Sequence, residues 1–165
     1  MKKDVYYNTI AQGYDRLHEQ EQLRKLEIIK KELKITPQTK LLDVGCGTGI
    51  SSWFDCIVTG IDPSEELLKI ARKKHPKATF IQASAEKLPF PDHSFDVVIS
   101  LTAIQNFSDI EKGIQEMKRV GKKQFAISYL KKSSKAEHIE TIIKQLFLST
   151  KRIEEDKDII FIFKE

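Results

Sequence analysis

What most restricts the fold of this chain is the run Leu41-Leu42-Asp43-Val44-Gly45-Cys46-Gly47-Thr48-Gly49, a short apolar strand passing straight into a glycine loop. Glycine tolerates positive φ and lets a ligand lie against the backbone, so such a loop at a strand end reads as a cradle. The spacing is G-x-G-x-G, neither the G-x-G-x-x-G of dinucleotide folds nor the G-x-x-x-x-G-K-S/T of phosphate loops. No lysine stands in the loop, and Asp43 puts a carboxylate beside it. A site with its own negative charge suits an ammonium or sulfonium ligand better than a pyrophosphate. A tight turn with no ligand is the competing reading of the loop taken alone. Asp62 ends the next strand, where a carboxylate can accept hydrogen bonds from a ribose hydroxyl pair; it can equally cap the helix that follows.

Around the loop the hydrophobic pattern predicts alternating strands and helices. Leu23, Leu26, Ile29 and Leu33 recur at helical spacing until Thr36-Pro37 stops them. Strands are expected at 40–44, 56–61, 78–83, 95–101 and 123–130, with only a very short segment at 50–55 between the first two. Ser64 caps a helix with Glu65 and Glu66 in its first turn and Arg72-Lys73-Lys74 in its last, matching the helix dipole. Ser108-Asp109-Ile110-Glu111 and Ser134-Lys135-Ala136-Glu137 read as capping boxes for two further helices. Alternation of this kind argues for a parallel α/β sheet. The runs 151–155 and 158–164 break it: separated by about two residues, they can pair only antiparallel, since a parallel crossover needs about a dozen or more. The sheet is therefore expected to be mostly parallel with one reversed strand near its carboxyl-terminal edge.

Composition narrows the class. At 165 residues, 40% hydrophobic and 32% charged, the chain fits a single domain with an ordinary soluble balance. That domain comprises a helical cap segment over 1–36 and a core over 37–165. No apolar run reaches membrane-span length, and the first residues hold no apolar signal core, so a cytoplasmic protein without membrane contact is expected. Cys46 and Cys56 form no Cys-x-x-Cys pair, and His18, His75, His93 and His138 are scattered; no metal site is expected, and the thiols are expected reduced. The net charge of +4 is spread among acidic neighbours. Short basic runs such as Arg72-Lys73-Lys74 are compatible with RNA contact but read more simply as helix ends.

Three ordered motifs carry a family resemblance. The glycine loop, then Val58-Thr59-Gly60-Ile61-Asp62-Pro63-Ser64, then Ala85-Glu86-Lys87-Leu88-Pro89-Phe90-Pro91-Asp92-His93-Ser94-Phe95-Asp96-Val97-Val98 resemble the class I S-adenosylmethionine-dependent methyltransferases, the type 11 subgroup especially. The likeness covers about residues 5–130. It implies a Rossmann-like seven-stranded α/β sheet with an antiparallel seventh strand and helices on both faces. S-adenosylmethionine is the implied cofactor and S-adenosylhomocysteine the product. By resemblance, Asp43 with the Gly45, Cys46 and Gly47 loop would hold the methionine moiety. Asp62 would hold the ribose, Pro63 would flank the adenine, and Ala85, with Ser84 and Glu86, would meet the adenine edge. Leu101 would line the sulfonium side, and Tyr14 would close over the cofactor. Tyr7, Gln105 and Asn106 are candidates for orienting the acceptor; Tyr7 and Tyr14 read equally as anchors of the first helix, and Gln105 and Asn106 as a helix-preceding turn.

The sequence departs from the family pattern at Ser84, where an acidic residue is usual, and in the segment before Asp62, about four residues short. Four residues are close to one helical turn, so the helix there would shrink to a stump packed by Trp53 and Phe54. No substrate-binding insertion follows the fifth strand. Methyl transfer from a sulfonium is an in-line displacement needing chiefly approach geometry, with a base only where the acceptor must lose a proton; no catalytic residue is assigned. Three readings follow: an enzyme acting on a small molecule; an RNA or protein methyltransferase working with a partner, such as a small activator subunit; or a cofactor-binding subunit that is catalytically silent.

Overall fold

The computed structural model describes the backbone from Lys2 to Glu165 and the side chains from Arg16 onward. In chain order the elements are α1 (Lys2–Glu32), β1 (Lys40–Val44), a 3-10 turn (Ile50–Trp53), β2 (Ile57–Asp62), α2 (Glu65–Lys74), β3 (Thr79–Gln82) and β4 (Phe95–Leu101). A second 3-10 turn (Ile104–Asn106), α3 (Ile110–Val120), β5 (Gly121–Leu130), α4 (Ala136–Leu146), β6 (Thr150–Glu154) and β7 (Asp158–Lys164) complete it. The strands form one seven-stranded sheet in the order β3-β2-β1-β4-β5-β7-β6. β7 alone is reversed, antiparallel to both β5 and β6, as the short 155–157 connection requires.

Strand residues alternate between two covered faces. Leu41, Val58, Val97, Ile99, Ala126, Ile160 and Ile162 pack with Leu26, Ile29 and Leu33 of α1. Leu42, Val44, Val98, Phe125, Ile127, Phe161 and Phe163 pack on the other face with Ile110, Ile114 and Met117 of α3 and Ile139, Ile142 and Ile143 of α4. The register sets all the carboxyl ends of β1 to β5 at one edge, joined there by the start of β7, where Leu130 faces Asp158.

Ser64 caps α2 as expected, its hydroxyl accepting the Leu67 amide. The two capping boxes are corrected. α3 is capped by Asp109, whose carboxylate accepts the Lys112 amide at 3.0 Å, while the Asp109 amide donates to Glu86 Oε1 at 3.0 Å. A carboxylate from the β3–β4 connection thus replaces Glu111 as the reciprocal partner. α4 begins one residue later than a Ser134 cap requires; Lys135 at its N-cap makes no side-chain bond, and its amide donates to Ser133 Oγ instead. The stump after the glycine loop is a four-residue 3-10 turn. Phe54 packs it into the core, but Trp53 is 64% exposed, so one expected anchor of the pair faces outward.

Candidate functional site

The glycine loop takes the shape its composition allows. Gly45, Gly47 and Gly49 all have positive φ, at 78°, 54° and 86°. The Gly45 and Cys46 amides both donate to the Ile61 carbonyl, at 2.8 and 2.9 Å, tying the loop to the end of β2. The two glycines of the cradle differ in surroundings. A Cβ on Gly45 would stand 2.6 Å from Ala103 Cβ, so the segment after β4 closes onto the loop there, whereas a Cβ on Gly47 would meet nothing within 4 Å. Gly47 is the open part of the cradle. Cys46 contributes only backbone: its thiol turns to Gly60 and Phe80 and joins a small core with Leu68 and Ala71, and burial pushes its pKa up.

Asp43 is 2% exposed. Burial raises its pKa to about 7; the Ser51 hydroxyl opposes the rise and the neighbouring Asp62 adds to it. Neither Asp43 Oδ1 nor Ser51 Oγ has a hydrogen-bond partner of good geometry. A buried carboxyl with a spare acceptor atom is costly unless a cation or donor completes it. Asp62 is also buried. Its Oδ2 accepts the Gly47 amide and its Oδ1 the Ser64 amide, each at 2.9 Å. It therefore joins the loop to the α2 N-terminus while Ser64 does the capping. A carboxylate has about four lone-pair sites, so two remain for hydroxyl donors.

The other candidates lie along the same edge in different states. Pro63 is exposed, its carbonyl held by Gln82 Nε2 at 3.0 Å. Ser84 is exposed and Ala85 buried. Glu86 is committed to the α3 N-terminus, which explains its presence without a ligand. Leu101 is the last residue of β4, and its side chain lies in the α1-side core. Gln105 donates to the Thr102 carbonyl at 3.0 Å and keeps a buried Oε1 without a partner. Asn106 is exposed. The side chains of Tyr7 and Tyr14 lie outside the described residues.

Sequence reasoning missed a polar cluster beside these groups. Thr102, directly after β4, has φ of 52°, a left-handed conformation that costs a β-branched residue energy and needs support from its surroundings. Its amide donates to both the carbonyl and the hydroxyl of Ser128, at 3.0 and 2.9 Å. Its hydroxyl meets the Lys25 ammonium, which also pairs with Asp158. Lys25 and Asp158 are 5% and 3% exposed. The four residues come from α1, the turn after β4, β5 and β7, so their meeting is invisible in any local pattern; a lysine among Leu23, Leu26 and Ile29 on a buried helix face was the available signal.

Among the described residues no helix is long and apolar enough to cross a membrane, and no cluster of three or more His, Cys, Asp or Glu is placed to hold a metal ion.

Sheet order, reversed β7 and a glycine loop flanked by two buried carboxylates define a Rossmann-like fold of the class I methyltransferase type. A family model described as a methyltransferase domain matches residues 42–126, more than half of the chain, and the chain belongs to that family. A demethylmenaquinone methyltransferase of Chlorobaculum tepidum is 42% identical over 55% of this chain and 40% of the relative. An uncharacterised protein of Methanocaldococcus jannaschii is 38% identical over 70% of this chain and 45% of its own length. The chain thus spans less than half the length of these curated relatives. A crystal structure of an S-adenosylmethionine-dependent methyltransferase from Aquifex aeolicus superposes with a TM-score of 0.72, covering 84% of this chain and 88% of that one at 21% identity; it shows the shared fold.

Proposed function

We propose that this chain is an S-adenosylmethionine-dependent methyltransferase acting on a small molecule. One observation carries the cofactor: three left-handed glycines stand between Asp43, whose buried Oδ1 has no partner, and Asp62, which keeps free lone pairs. A cationic ligand with a ribose fits this donor and acceptor set, and a pyrophosphate does not, because two carboxylates would face it. S-adenosylmethionine supplies an activated methyl group on a sulfonium. Asp43 and the open face of Gly47 would hold its amino-acid end, Asp62 its ribose, and the 63 and 84–85 backbones its adenine. The chain's own part in the chemistry is to present the acceptor in line and exclude water. The 102–107 segment that closes on Gly45 would form that wall, with Gln105 Oε1 as an acceptor for a donor group on the substrate.

Several relatives are named as demethylmenaquinone or ubiquinone/menaquinone C-methyltransferases, which supports an electron-rich ring as acceptor. Calorimetry should show S-adenosylmethionine binding, weakened by at least about 1 kcal/mol in Asp62→Ala through loss of hydrogen bonds to a charged acceptor. Tritium from labelled cofactor should pass into the small-molecule fraction of a lysate. Label appearing in RNA or protein instead would sink the small-molecule reading, and tight binding without transfer to any fraction would make the chain a silent subunit.

A further inference from the structure

The connection from the glycine loop to β2 is short, and beside it the protein carries a groove of about 420 Å³, within the usual range of small-ligand sites. Phe54 and Val58 give it apolar lining continuous with the α1-side core. Trp53 stands at this groove 64% exposed, and His75 meets its indole edge-on, with ring centroids 6.3 Å apart. Tryptophan is highly buried on average, so this indole is more open than most. Lys74 and Lys77 line the same groove. Both are exposed, and neither forms an ion pair among the described residues, in contrast to Arg72, which is tied to Glu65. Among the described residues Asp55 is the one acidic residue of the lining. Burial and the adjacent Lys74 hold the His75 pKa below its ordinary value, against the opposing charge of Glu19.

We propose that this groove binds a nucleotide unit, its base stacked on the Trp53 indole and its phosphate held by Lys74 and Lys77. Stacking on an exposed aromatic is available to any base, because each presents a π-face, and lysines without partners bind phosphate as point charges. The basic run at the end of α2 thereby acquires a use beyond matching the helix dipole. The site does not include the groups assigned to the methyl donor: none of Asp43, Gly45, Gly47, Asp62 or Ala85 lines it, although His75 packs against Gly49 at the end of the loop. The same chemistry is offered by a free nucleotide and by one unit of a single strand. The proposal is independent of methyl transfer.

Trp53 is the only tryptophan of the chain, so its fluorescence reports on this groove alone. The full chain is titrated with uridine monophosphate and with a uridine octamer, each with and without S-adenosylmethionine. Saturable quenching is expected with or without the cofactor, weakened at least about tenfold in Lys74→Ala/Lys77→Ala and by added salt, as for a phosphate contact. An octamer that binds much more tightly than the monophosphate assigns the groove to single strands; equal affinity per nucleotide assigns it to free nucleotides. Absence of saturable quenching by either probe would overturn the proposal. Quenching that survives the double substitution, or that S-adenosylmethionine abolishes, would overturn it too, the latter by placing the probe at the glycine loop.

Discussion

At the scale of single residues, Asp43 joins burial to function. Its folded pKa of about 7 lies above the ordinary aspartate value of 3.8, so between those values the folded chain holds a proton that the unfolded chain has lost. The sign follows from linkage: this group's contribution to stability is full below about pH 4 and is lost as pH rises through about 7. A cationic ligand reverses the preference by pairing with the charged form. Affinity for S-adenosylmethionine should therefore rise from pH 6 to pH 8, with proton release visible as a buffer-dependent heat in calorimetry. Asp43→Asn should flatten that dependence; an unchanged slope would mean that another group titrates. Lys25 makes a different point. Lys25→Met leaves Asp158 buried without its cation, with only the Thr102 hydroxyl at 3.5 Å, which costs about 3–5 kcal/mol, whereas replacing both partners by apolar residues is often close to neutral. Urea denaturation should accordingly find Lys25→Met severely destabilised and Lys25→Met/Asp158→Leu largely recovered.

At the scale of elements, two connections are braced by side chains distant in sequence. One is the loop from Leu88 to Ser94. Arg119 of α3 donates to the Leu88 and Phe90 carbonyls at 3.1 and 2.8 Å and to Asp92 and Glu116, while Glu116 accepts the Leu88 amide at 2.8 Å. These bonds keep the Arg119 pKa raised and the Glu116 pKa lowered. Arg119→Met strands several acceptors of which some are part-buried, so a loss of about 1–3 kcal/mol is expected, with faster amide exchange confined to 88–94 and the end of α3. The other connection is the 102–107 segment, and it shows where sequence reading stops. Strand positions were legible because a period of two and a glycine loop are local signals: β1, β4 and β7 fall where the pattern puts them. The reversal of β7 was legible because chain length forbids the alternative. Caps were legible only where the partner is near in sequence, as at Ser64. Glu86 capping α3 and Lys25 bracing Thr102 join residues 23 and 77 positions apart, and no periodicity encodes such meetings. Trp53 misled for a related reason: its apolarity suggested burial, but the shortened turn turns Phe54 inward and leaves its neighbour on the outside.

At the scale of the whole molecule, the site is built from the ends of β1, β2 and β4 and from the loops after them, so occupying it should brace the sheet as a unit. Two carboxylates, Asp43 and Asp62, lie buried close enough for Asp62 to raise the pKa of Asp43, which is an unfavourable arrangement until positive charge arrives. A ligand that binds only the folded state stabilises it by about 2.7 kcal/mol at a hundredfold excess over Kd. For a domain of this size, each kcal/mol raises Tm by about 2–4 °C. S-adenosylmethionine should thus raise Tm by roughly 5–10 °C, since both figures apply to a single folded domain. S-adenosylhomocysteine, which lacks the sulfonium charge but keeps the ammonium and ribose, should also raise it. If Asp43 faces the ammonium, the two shifts will be similar; if it faces the sulfonium, the product's shift will be clearly smaller. Dinucleotides should not displace S-adenosylmethionine from this edge, because their pyrophosphate would meet the two carboxylates with nothing in the loop to neutralise it. A thermal scan against the three ligands at pH 8, where Asp43 is ionised, therefore tests the charge logic of the edge and identifies which end of the cofactor the buried carboxylate serves.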